Sequence, residues 1–99
     1  MLDKYILEGK IPKLVEDVLE WGLALEVIDR CVAKTELPNK VTVSTVFLAL
    51  DHAFDGGEPI LFETMIFGGE HDDFQERYHT WEEAEEGHKR AIAMVEEGE

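Results

Sequence analysis

Residues 41–50, VTVSTVFLAL, constrain the fold more than any other stretch. The run is rich in β-branched residues. Apolar side chains fall on both phases of a two-residue alternation: Val41, Val43, Phe47 and Ala49 on one, Val46, Leu48 and Leu50 on the other. That pattern predicts a central strand. Its neighbours in sequence supply partners. Residues 30–37 precede it across Pro38-Asn39-Lys40, a turn, so the two runs form a hairpin. Residues 60–67 follow across the loop DHAFDGGEP (51–59) and end at Gly68-Gly69. Residues 74–79 read as a short edge strand. Residues 4–7 are a further strand candidate, and Glu8-Gly9 reads as a turn. Pro12 has no amide proton, which excludes the piece after that turn from a central strand.

Two helices complete the pattern. The last has the clearest boundary: Thr80 at the N-cap and Glu83 three residues on form a T-x-x-E capping box. Glu82, Glu83, Glu85 and Glu86 crowd its first turns, where the helix dipole favours negative charge. Trp81, Ala84, His88, Ala91, Ile92 and Val95 mark its buried face. The first helix starts near Asp17, with Glu20 completing a similar box, and Val18, Trp21, Leu25 and Ile28 fall at helical spacing. Gly22 weakens this helix by about 1 kcal/mol relative to Ala; close packing against the sheet would explain it. The expected fold is therefore α+β, one domain over 1–99. A small antiparallel sheet of three to five strands carries two helices packed on one face.

The chain has 99 residues, 44% of them apolar, enough for a core of its own. Cys31 is the only cysteine, so no internal disulfide forms. That fits a reducing compartment and a buried structural thiol. No basic segment precedes an apolar run at the start, and no run reaches the roughly 18–20 residues of a membrane span. The expectation is a soluble, cytoplasmic protein.

Charge is unevenly placed. The formal net charge is −14; residues 1–50 carry 6 basic and 8 acidic side chains, residues 51–99 carry 3 and 15. The second half alone is thus net −12. Such a field repels nucleic-acid backbones and anionic membranes and favours basic partners or cations. It also serves solubility alone.

Candidate chemistry concentrates in and around the strand–loop–strand. Asp51 and His52 stand where the central strand meets the loop. An adjacent Asp-His orients an imidazole for acid–base work or metal binding, or else simply caps the loop. Phe54 and Phe62 would give that loop an aromatic lining. Glu63 is a charge in an otherwise apolar strand, and His88 is the odd residue on an apolar helix face. If Glu63 is buried it needs a partner, which His88 or Arg90 could supply. His71, Asp72, Asp73 and His79 add donor atoms, but no spacing matches a zinc, EF-hand or H-E-x-x-H pattern. Asp55-Gly56-Gly57-Glu58 lacks the Lys-Ser/Thr ending of a phosphate loop. No G-x-S-x-G elbow occurs. No cofactor and no metal are expected, and catalytic residues are not assigned.

Residues 43–69, VSTVFLALDHAFDGGEPILFETMIFGG, and 77–88, RYHTWEEAEEGH, together with the KYILEGK start, resemble a family of small proteins of unassigned function encoded by tailed bacteriophages. Relatives in that family carry Gly where this chain has Ala49 and Pro where it has Glu58. Their first helix is often more aromatic than the leucine-rich one here. The resemblance implies a phage origin and a bacterial host-cell cytoplasm, and no reaction. Three readings follow. The first is a non-enzymatic binder that interferes with or modulates a host component, host defence included, through a host protein's basic surface. The second is a small-molecule or nucleotide-signal sponge using Asp51, His52, Phe54, Glu63 and His88. The third is a metal-assisted hydrolase using Asp51, His52, Glu63 and His88. Direct nucleic-acid and membrane contacts are excluded by charge and hydropathy, and a homo-oligomer is compatible with all three.

Overall fold

The computed structural model describes residues 3–53 and 56–97. Its centre is β4, Val41–Phe47, which lies between β3 (Cys31–Leu37) and β5 (Phe62–Phe67), with β6 (Gln75–Tyr78) at the far edge. All pairings are antiparallel. Along β4 burial alternates strictly: Val41, Val43, Thr45 and Phe47 are buried, while Thr42, Ser44 and Val46 are half-buried. The pairs Val43↔Ile66, Thr45↔Thr64 and Phe47↔Phe62 carry the same inner face onto β5. Helix α2, Trp81–Glu97, packs across that face with Ala84, Gly87, His88, Ala91 and Val95 buried.

The α+β class, the central strand and the edge strand agree with the sequence pattern. Three details differ. A strand β2, Ile11–Val15, pairs with β1, Lys4–Glu8, as a separate two-stranded sheet. Gly9, φ 63°, opens their two-residue loop, as a type II′ turn requires. Pro12 still sits on an edge strand, as its missing donor demands. Second, β4 stops at Phe47 because Ala49 adopts φ 69°, the region that favours glycine. That break turns the chain toward β1: Tyr5 N donates to Ala49 O at 2.8 Å, and Lys4 bridges Leu50. Third, β5 begins at Phe62 rather than residue 60.

The core has two apolar clusters. Phe47, Ala49, Leu61, Phe62, Tyr78 and Ala84 form one, with Tyr5, Leu7, Trp21, Leu25, Ile28 and Trp81 packed around it. Val41, Val43, Ile66, Ala91 and Val95 form the other. Helix α1, Val18–Val27, reaches the first cluster and packs mainly on the β1–β2 hairpin. Asp17 caps it, accepting from Leu19 N at 2.8 Å and Glu20 N at 3.2 Å. Trp21 Nε1 donates to Tyr5 O and Ala49 O, fixing the helix to β1 and to the segment that follows β4. The second capping box closes in both directions: Glu83 N donates to Thr80 Oγ1 and Thr80 N to Glu83 Oε1.

The two helical glycines have opposite surroundings. At Gly22 no atom outside its own neighbourhood lies within 4 Å of where a Cβ would stand, so close packing does not explain it. At Gly87 that position is filled by the ring and hydroxyl of Tyr78. Gly22→Ala should therefore raise unfolding stability by about 0.5–1 kcal/mol through helix propensity. Gly87→Ala should lower it by about 1–3 kcal/mol through overpacking. Urea denaturation of the two variants checks both signs.

Candidate functional site

The polar residues singled out above separate into independent settings. Asp51 Oδ1 accepts from Ala53 N at 2.8 Å and Ile60 N at 3.0 Å, drawing together the two ends of the β4–β5 connection. His52 Nδ1 donates to Leu50 O at 2.7 Å, and its backbone N–H donates to Ile60 O. Both therefore hold the loop to the strand ends. Phe54 lies outside the described residues.

Glu63 is 8% exposed and stands on the outer face, since its neighbours Phe62 and Thr64 face α2. Its Oε2 accepts from Arg77 Nε at 2.9 Å and Gln75 Nε2 at 2.6 Å. Arg77 is its register partner across β5–β6. The expected partners were His88 or Arg90. Strand alternation prevents the first, because His88 lies on the inner face. Arg90 is engaged elsewhere, donating to Glu76 Oε1 at 2.8 Å.

His88 is 5% exposed. Its Nε2 is 2.9 Å from Thr35 Oγ1 and its Nδ1 is 2.7 Å from Thr45 Oγ1; Thr45 and Thr64 hydroxyls are 2.5 Å apart. Burial holds the imidazole below its ordinary pKa, so it is neutral near pH 7. A neutral ring has one donor and one acceptor nitrogen, and each meets a hydroxyl that can play either part. The three threonines were not singled out in the sequence. Their signal was a hydroxyl at inward positions of β-branched strands.

Two of the remaining candidates, Asp72 and His79, also hold backbone. Asp72 Oδ1 accepts from Gly68 N at 2.6 Å, and His79 Nδ1 donates to Pro59 O at 2.8 Å. Among the described residues no three His, Cys, Asp or Glu side chains gather to hold a metal ion. Cys31 is exposed rather than buried. It sits at the end of edge strand β3, where the register with β4 shifts.

A different feature does form a concave surface. Between β6 and α2 lies an open groove of about 600 Å³, lined by Glu76, Arg77, Glu82, Glu83, Glu86 and Arg90 among others. Glu82, Glu86 and Arg90 follow one another at i, i+4, i+8 along α2, one column on the helix surface. Arg90's hydrogen bond holds the Glu76 carboxyl below the usual range. Burial pushes Tyr78, in the groove floor, up to about 12. Glu83 is occupied by the cap, accepting from His79 N and Thr80 N. Glu82 and Glu86 are exposed.

No helix among the described residues is long and apolar enough to cross a membrane. Set against protein families, curated proteins and solved structures, the chain matches none of them.

The His88 network has a pH signature. The folded-state pKa is depressed, so the unfolded chain binds this proton more readily. The stability this contributes is present above about pH 6.5, the unfolded value, and is lost as pH falls through the folded one. The urea midpoint of the wild type should fall more steeply between pH 7 and pH 5 than that of His88→Gln. At pH 7 His88→Gln should itself be less stable by about 1–3 kcal/mol, from loss of the imidazole's hydrogen bonds to Thr35 and Thr45.

Proposed function

We propose that this protein is a non-enzymatic binder of phage type that occupies a basic surface on a host protein in the bacterial cytoplasm. The observation that carries the reading is the acidic groove between β6 and α2, in the half of the chain with net charge −12. Glu82 and Glu86 project from a helix held rigidly at its N-terminus by the capping box. A basic partner meets exposed carboxylates there, in competition with Lys89, which lies 3.7 Å from Glu86, and the long-range field speeds its approach. Residues 43–69 and 77–88, with their likeness to phage-encoded proteins, support the host setting. The buried ionisable groups support a binder too: Glu63 and His88 hold strands and helix together on opposite faces of the sheet.

Affinity capture from bacterial lysate tests this, with Glu82→Lys/Glu86→Lys as the paired variant. Both positions are exposed, so the variant should fold. The expected result is a discrete partner whose retention weakens between 50 and 200 mM salt and drops at least tenfold with the variant (roughly 1.4 kcal/mol). Equal capture by the variant, or no capture above an inert protein of similar charge, contradicts the reading.

A further inference from the structure

Helix α1 is apolar on two opposite sides. Trp21, Leu25 and Ile28 face the core. Leu19, Leu23 and Val27, at i, i+4 and i+8, form a row on the other side and are 71%, 57% and 84% exposed. Val18 and Leu14 extend the exposed apolar surface toward β2, beside a groove of about 520 Å³ lined by Lys13, Leu14, Glu16, Asp17 and Glu20 among others; Lys13 is paired with Glu8 at 3.6 Å. A helix apolar all round is ordinarily covered all round. Contiguous apolar surface of this kind marks an interaction site.

The charges around the row say what covers it. Within α1 the only ionisable residues are Glu20 and Glu26. At about 100° per residue they lie roughly 60° to either side of Leu23, one along each flank of the row. Asp17 and Asp29 stand just beyond the helix ends, accepting from backbone N–H groups, and Arg30 follows Asp29. The face is thus an apolar ridge between acidic rails. A second copy of this chain would bring acidic rails against acidic rails, and −14 against −14. An anionic lipid surface is repelled in the same way.

We infer that the Leu19–Leu23–Val27 face of α1 docks a basic amphipathic helix of a partner protein, an apolar ridge of that helix lying against this one and its Lys/Arg flanks meeting Glu20 and Glu26. A row at i±4 spacing is the ridge that interdigitates with a like ridge in the common helix-on-helix crossing. The surface is separate from the β6–α2 groove and does not rest on that groove's role.

The test uses a labelled 18-residue synthetic helix with leucines at i, i+4 spacing flanked by lysines, a counterpart with glutamate for lysine, and fluorescence anisotropy with the full chain. The lysine peptide should bind at least tenfold more tightly than the glutamate peptide. Leu19→Gln/Leu23→Gln keeps charge and helix propensity; with an unchanged circular dichroism spectrum it should bind at least tenfold more weakly. Glu82→Gln/Glu86→Gln should bind within twofold of the wild type, which separates this surface from the acidic groove. Wild-type affinity in Leu19→Gln/Leu23→Gln, loss of binding in Glu82→Gln/Glu86→Gln, or no binding of the lysine peptide would each overturn the inference. So would a wild-type dimer, seen by sedimentation equilibrium, that Leu19→Gln/Leu23→Gln converts to monomer.

Discussion

The packing of α2 depends on the hydrogen bonds that His88 makes to Thr35 and Thr45. They form a polar layer between two apolar clusters. Along β4, Thr45 stands between Val43 and Phe47; along β5, Thr64 stands between Ile66 and Phe62; along α2, His88 stands between Ala84 and Ala91. Apolar contacts alone tolerate sliding. A polar layer does not, because moving α2 by one turn would take the buried imidazole away from both Thr35 and Thr45, at about 1–3 kcal/mol. Gly87 adds a steric lock beside it, since only a residue without Cβ clears Tyr78. The network thereby sets the register of α2 against three strands.

This arrangement explains why the residues most suggestive of chemistry do not form one site. His88 is enclosed on the inner face with its nitrogens committed to threonines, and Glu63 is committed to Arg77 and Gln75 on the outer face. Asp51 and His52 hold a loop at the strand ends. Two surfaces present exposed side chains outside these contacts: the acidic groove, through Glu82 and Glu86, and the outer row of α1. They differ in physics. Charge dominates the first, so salt weakens it; apolar area dominates the second, so salt acts mainly on its rails.

Much of the fold was legible because it is written in local rules. The alternation from Val41 to Phe47 located the central strand, and Thr80 with Glu83 located a helix start to the residue. The start of α1, expected near Asp17, has Asp17 as its N-cap. What was not legible depends on pairing. Strand β2 contains Pro12 and Lys13 and has weak strand character; its partner β1 and the Gly9 turn specify it. The partner of Glu63 follows from the β5–β6 register, which sequence spacing does not contain. Cys31 was expected inside by residue type, yet an edge strand with a register shift exposes it. The Leu-rich α1 read as one amphipathic helix because inner and outer apolar rows look alike until the core claims one of them.

The central claim is that His88 is an enclosed, neutral registering residue. Its imidazole ¹⁵N shifts followed by NMR from pH 7.5 to 5 test this most directly. The expected result is a titration midpoint below the ordinary histidine value of about 6.5, with the ring neutral at pH 7.5. A midpoint at or above about 6.5, while the protein stays folded, would contradict it.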